Sequence, residues 1–306
     1  MSSYLVKRAL GAIAVMIALL LFTFFATYFI GDPIALLVDP ELSSEQEIAE
    51  IRAAAGLDQP IWQQFWNYGS RVVRGDFGTS LFHHRPASEL VFDRLPATIR
   101  LALITVTVVV IASVSLALIA TRARGTATER VILFVATALA CVPSFWLALV
   151  LIVIFAVNLA WLPTSGIGGF RYTIMPVVAL AALPIGHMTQ VLHAGLQSEV
   201  AQPYVAVARA KGLTERALLT THVLRNSLVL LMTIVGSMLA SLLNGAVLVE
   251  AVFAWPGIGD LGLQAVRQRD LPVLTAVVFY AGVMVTMINF GIDLIYARLD
   301  PRVRLP

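Results

Sequence analysis

The sequence predicts an all-α integral membrane protein: six transmembrane helices, a segment of about seventy residues outside the membrane after the first, and a helical connection on the inner side. Two observations carry this reading. Of 306 residues, 59% are hydrophobic and only 13% charged, about half of the roughly 25% charged usual in soluble domains. The apolar residues also gather in runs near the twenty needed to cross a hydrocarbon core of about 30 Å. A soluble chain of this composition would show a large apolar surface, which soluble monomers avoid. A secreted disulfide scaffold, a disordered chain and a cytosolic enzyme are thereby excluded. Cys141 is the sole cysteine and forbids an intrachain disulfide. The net charge of +3 records which loops stay inside rather than affinity for nucleic acid.

Residues 1–8 form a short inner terminus, and Ala9–Ile30 is a first span without a charge. Lys7 and Arg8 precede it in the manner of a signal peptide. The run is too long for an h-region, however, and no small-residue cleavage site follows, so the helix is retained. Residues 31–100 then lie outside and hold ten of the eighteen acidic residues. Within them Glu45–Ala55 has helix-forming composition. Ile61–Val73 has amphipathic spacing, with Ile61, Phe65, Tyr68 and Val72 on one face. Leu101–Ala120 is the second span. Val131–Leu162 is the third, kinked by Pro143. Ile174–Leu196 is the fourth, bent by Pro176 and Pro184. Residues 197–226 form the inner connection, helical in pattern and broken at Gly212. Ser227–Ala251 is the fifth span, 252–272 an outer segment, Val273–Tyr296 the sixth span and 297–306 an inner tail.

The basic residues orient the chain. With the N-terminus inside, the short inner segments carry twelve of the twenty-one Lys and Arg, and the short outer ones carry only Arg171, Arg267 and Arg269. The other six lie in the long outer segment, and loops of that length translocate largely regardless of charge. Both termini are therefore expected in the cytoplasm.

No soluble catalytic site is visible. The chain has no Walker-type lysine loop, no His-Glu-x-x-His pair and no Gly-x-Ser-x-Gly elbow. His187 and His193, six apart on a helix, point away from each other and do not share a metal. His83–His84 reads as a hydrated loop pair. Glu250 and Asp293 are acids near the ends of spans, open either to function or to structural pairing. Together His187, Asn244, Glu250 and Asn289 are the candidates for lining a translocation pathway. Trp62, Trp66 and Asp76 in the outer segment are candidates for docking a partner, or for a cap that only stabilises the assembly. A conduit, with its energy source on another chain, fits this inventory better than a secondary transporter or an intramembrane enzyme.

The run YVAVARAKGLTERALLTTHVLRNSL, Tyr204 to Leu228, resembles the cytoplasmic signature of bacterial ABC importer permeases of the dipeptide, oligopeptide and nickel branch. GLDQPIWQQFWNY at Gly56–Tyr68, RGDFGTS at Arg74–Ser80, RLPATIRLA at Arg94–Ala102, LPTSG at Leu162–Gly166 and YARLDPRVR at Tyr296–Arg304 agree with it in the same order. The chain is most similar to the first permease of such systems, the one with the long outer loop. One feature departs from the general pattern: Ala206, Val207 and Ala208 stand where most ABC permeases carry Glu-Ala-Ala.

The resemblance implies half of a peptide pathway in the bacterial inner membrane, with nickel complexes or glutathione-like solutes as alternative cargo. It further implies a homologous second permease, two ATP-binding subunits that hold the ATP and magnesium, and an extracytoplasmic solute-binding protein. No cofactor is expected on this chain. Tyr204, Ala208, Arg209, Ala210, Lys211, Gly212, Leu213, Glu215 and Arg216 would form the helix-turn-helix that meets an ATP-binding subunit. Gly212 would be its permissive break and Thr214 the cap of its second helix.

Overall fold

The structure, a computed structural model, describes residues 2–30 and 58–299. The expected helix Glu45–Ala55 and the tail beyond Leu299 lie outside the described residues. So do the side chains of Asn244 and Asp293.

All regular elements among the described residues are helical. In chain order they are α1 (Ser2–Ile30), α2 (Ile61–Val73), α3 (Ala87–Arg122), α4 (Ala127–Cys141) and α5 (Ser144–Leu151, continued by a π-helical stretch Ile152–Asn158). Then come α6 (Phe170–Val200), α7 (Pro203–Ala210) and α8, which runs from Glu215–Ala217 through a π-helical Leu218–Val223 to Leu224–Asn226. The last are α9 (Leu228–Val252), α10 (Ile258–Gln268) and α11 (Leu271–Leu299).

Four described helices are long and apolar enough to cross a bilayer: α1 over Arg8–Phe25, α3, α6, and α11 over Leu271–Ile292. Helix α9, with 25 residues and Glu250 as its one charge, also exceeds the roughly twenty that a span requires. Helix α3 starts at Ala87 and carries Pro96 inside it, so the last fourteen residues of the segment that precedes the second span belong to the same helix as that span.

The third span departs from expectation. Instead of one kinked helix over 131–162, α4 and α5 are separate pieces whose axes differ by 99°. The cause is local. Val142 is extended (φ −89°, ψ 120°) and Pro143 follows at ψ 134°. A proline disfavours helical geometry in the residue before it, and here two consecutive residues leave the helix. The result is a break rather than a bend.

The described residues form two compact units: one from the start of α1 up to Leu5, Leu95–Asp260 and the end of α11 from Ile288, the other from the rest of α1, residues 58–94 and Leu261–Met287. The first unit is organised around α6, in which fourteen of 31 residues are buried. It packs against α4, α5 and α9, with Met188, Leu192 and Leu196 fully buried. Gly186 makes the α4 contact close: a Cβ there would strike the Ala136 carbonyl and come within 2.6 Å of the Ala140 nitrogen. In the second unit Phe77 packs on Phe279 and Tyr280. Ser80 there donates to the buried Asp270 carboxylate, which also receives the Val273 N–H at the start of α11.

Gly186→Val should force α4 and α6 apart. Overpacking of this kind costs about 1–3 kcal/mol, and a lowered melting midpoint of the detergent-solubilised protein is the expected result.

Candidate functional site

The connection between α6 and α9 is a built element. Helix α7 opens with Pro203 at its first position, where the missing N–H is no loss and φ is already helical. It ends in a Schellman motif: the Gly212 N–H donates to the Arg209 carbonyl at 2.9 Å and the Leu213 N–H to the Ala208 carbonyl at 3.3 Å. That closure requires positive φ at Gly212, observed at +84°. Thr214 then caps α8, its hydroxyl accepting the Ala217 N–H at 3.4 Å. Both the break at Gly212 and the cap at Thr214 lie at the predicted residues.

Apolar and polar ties hold this element to the span core. Val205, Leu218 and Val223 are fully buried. The Tyr204 hydroxyl donates to Glu199 Oε1 at 2.8 Å, and Asn226 Nδ2 donates to the same oxygen at 3.1 Å. One carboxylate thus joins the end of α6, the start of α7 and the end of α8. Burial and the adjacent Glu199 push the Tyr204 hydroxyl above its ordinary pKa. A second clasp lies one and a half turns earlier on α6. His193, nearly buried, meets Thr121 Oγ1 through Nδ1 at 3.1 Å and Glu129 Oε1 through Nε2 at 3.0 Å. The Glu129 carboxylate can only accept, so Nε2 carries a proton. The clasp joins the end of α3 and the start of α4 to α6.

Four of the residues expected to meet a partner make contacts within the chain: Tyr204 as described, and Ala208, Arg209 and Glu215. Ala208 is buried against the chain's own core. Arg209 forms a forked pair with Glu215, Nε to Oε1 at 2.5 Å and Nη2 to Oε2 at 3.2 Å, which holds Glu215 below the usual carboxylate range. The face left open carries Val207, Ala210, Lys211, Gly212 and Leu213, with Arg216 beside it. Val207, 55% exposed, is an apolar member of that face that the motif reading missed.

Of the pathway candidates, His187 on α6 and Asn289 on α11 are exposed. Glu250 is not a lining residue: it is fully buried. Its Oε1 accepts the Thr98 hydroxyl at 2.7 Å, and Oε2 accepts the N–H groups of Gly259 and Asp260 at 2.8 and 3.2 Å. The carboxylate thereby caps α10, at the end of a helix where negative charge is favoured. Thr98 also accepts the Ile258 N–H at 2.9 Å, and Trp255 Nε1 donates to the Ala97 carbonyl at 3.0 Å. Gly257 and Gly259 allow the approach. A Cβ at the first would strike the Glu250 carboxylate, and one at the second would come within 2.7 Å of Val247 Cα. In the other unit Asp76 is exposed, its Oδ1 accepting the Gly78 N–H at 2.9 Å, while Trp62 and Trp66 are exposed on α2. Among the described residues no cluster of His, Cys, Asp or Glu could hold a metal ion.

The chain matches two family profiles: "binding-protein-dependent transport system inner membrane component" over residues 113–305, and the corresponding N-terminal profile over residues 1–102. It is 33% identical over 305 residues to the glutathione transport system permease protein GsiC of Escherichia coli K12, covering 99% of both chains. The corresponding protein of Salmonella typhi is 34% identical over the same length and coverage. Its fold is similar to a chain of the inward-facing MetNI methionine ABC transporter, with a TM-score of 0.60 over 69% of this chain and 96% of that one, at 17% identity.

The two carboxylate ties should differ in weight. Glu250→Ala removes the acceptor of the buried Gly259 N–H, the half-buried Asp260 N–H and the Thr98 hydroxyl, at about 1–3 kcal/mol for each buried group, and should lower the melting midpoint sharply. Glu215→Gln removes a half-exposed ion pair worth about 0–1 kcal/mol and should barely change it. Because the folded Glu215 carboxyl is depressed, its contribution is present at neutral pH and lost only as pH falls through that lowered value. Melting curves of the native chain and Glu215→Gln should therefore converge only below the ordinary carboxylate range.

Proposed function

The chain belongs to the binding-protein-dependent transport inner membrane component family and is a permease subunit of an ABC importer, and from that premise we propose that it carries di- or oligopeptides, glutathione-like peptides among them. The likeness to a glutathione permease along the whole length supports the peptide class, glutathione being itself a tripeptide.

The observation that carries the mechanism is the exposed face of α7–α8, set on buried anchors and turned at Gly212. It is the size and stiffness of an element that seats in a groove of an ATP-binding subunit. Closure of two such subunits around ATP would press on Val207, Lys211 and Leu213. The anchors would pass that push to α6 and α9, tilting the spans between two access states. ATP and magnesium belong to those partner subunits, and hydrolysis takes place there. A homologous second permease would supply the other half of the pathway, with His187, Asn244 and Asn289 as this chain's polar candidates along it. A solute-binding protein would deliver cargo on the side of the 31–100 segment, with Asp76 available to it. Both termini then lie in the cytoplasm, a placement that the distribution of basic residues supports. Labelling a cysteine introduced at position 60 in a Cys141→Ser background tests this orientation: reagent should reach it from outside only.

Coupling is tested at Gly212. A Cβ there meets nothing within 4 Å, so Gly212→Val acts through backbone strain of roughly 1–2 kcal/mol and through bulk at the docking face. The variant should remain in the membrane but lose the rise in ATP hydrolysis that loaded binding protein causes in the reconstituted complex. Gly212→Asn, which tolerates the left-handed region, should retain more. Normal stimulation and normal uptake of a labelled tripeptide by Gly212→Val would remove this element from the mechanism.

A further inference from the structure

Helix α2 has a wider apolar arc than its neighbour covers. At about 100° per residue, Phe65, Tyr68 and Val72 form one flank, and Trp62, Trp66 and Val73 form the next. Gln63, Asn67, Ser70, Arg71 and Arg74 take the remaining side. The first flank is seated on α1: the Phe65 and Tyr68 rings lie 5.4 and 5.7 Å from that of Phe24. The Tyr68 hydroxyl donates to Thr23 Oγ1 at 2.9 Å. The second flank is bare, with Trp62 71%, Trp66 74% and Val73 81% exposed.

The depth of that seat decides what covers the bare flank. Arg8 marks one edge of the apolar run of α1, and Thr23 lies fifteen residues further along, about 22 Å at 1.5 Å per residue. A hydrocarbon core of about 30 Å that begins at Arg8 ends near Tyr28, so α2 meets α1 about 7 Å inside its boundary. Interfacial helices bury their apolar face to a depth of about 5–10 Å. The surface of α1 at this level is apolar and open too, with Leu21, Phe22 and Phe25 exposed, so the bare flank continues a lipid-facing surface. Tryptophan suits this zone because its ring is apolar and its N–H reaches polar headgroups. A water-soluble partner does not reach that depth.

We propose that α2 is an interfacial membrane helix, with Trp62, Trp66 and Val73 set among the lipids of the leaflet at the C-terminal end of α1. This takes Trp62 and Trp66 out of the candidate binding-protein dock. It rests on the chain being a membrane permease and not on its cargo, so peptide uptake reads out the functional proposal separately.

The test uses the assembled transporter in nanodiscs of phosphatidylethanolamine and phosphatidylglycerol. Trp62→Cys, Trp66→Cys, Val73→Cys and Asn67→Cys, each in a Cys141→Ser background, are spin-labelled and exposed to oxygen and to a water-soluble nickel chelate. Labels at 62, 66 and 73 should collide with oxygen several-fold more than with the chelate, and the label at 67 should do the reverse. Equal chelate access at all four positions overturns the proposal. So does shielding of 62 and 66 that arises only when the binding protein is added. Should the cysteine variants fail to assemble, lipids brominated near the headgroup serve instead. They should quench the native chain more than the doubly substituted Trp62→Phe, Trp66→Phe chain, and equal quenching overturns the assignment.

Discussion

A polar group buried among apolar helices has no water to fall back on, so a partner within the chain is worth much to it. Several buried polar side chains of this permease find one and act as joints, while the buried polar atoms of Thr105, Thr173, Thr189 and Gln197 have none among the described residues. Glu250 is the strongest instance. A lone carboxylate at the end of α9 gathers Thr98 from α3 and the N–H groups of Gly259 and Asp260 at the start of α10. Leaving any of these unpaired costs about 1–3 kcal/mol, comparable with the burial of a whole apolar side chain. The glycines at 257 and 259 follow from the same need, since side chains there would occupy the space of the carboxylate and of Val247.

Two further joints flank the connection to which the coupling role is proposed. His193 pins α6 to the α3–α4 corner, and Glu199, six residues on, pins the same helix to α7 and α8. The buried residues of α6 run from Thr173 to Leu196. A push on the exposed face of α7 therefore meets a helix clamped to its neighbours. Such a push would move packed spans together, because close-packed interiors shift between discrete arrangements and do not deform smoothly.

Local chemistry was legible in the sequence, and through-space chemistry was not. The turn at Gly212 and the cap at Thr214 depend on their own neighbours, so residue type and order suffice to place them. The membrane helices are legible for the same reason, being set by composition over some twenty residues. For Glu250 the sequence left both function and structural pairing open, and could not choose between them because its partner Thr98 is 152 positions away. Ala208 looked available until the helix face it occupies was known. Arg209 looked free because Glu215 reaches it only after the Gly212 turn folds the two helices together. The break before Pro143 was visible as a proline, but its size depended on Val142 also leaving the helix.

What makes the α7–α8 element stiff is settled by magnitude. Its one forked surface pair, Arg209 with Glu215, is worth about 0–1 kcal/mol. The Thr214 cap adds typically about 1 kcal/mol. Val205, Leu218 and Val223, all fully buried, contribute about 1.5–3 kcal/mol each. Apolar anchorage therefore outweighs surface charge several times over. An element held this way keeps its shape when salt or a partner's charges disturb its surface. Its exposed side, Val207 with Leu213, adds little to that anchorage, so substitutions there can change a contact surface without loss of the fold.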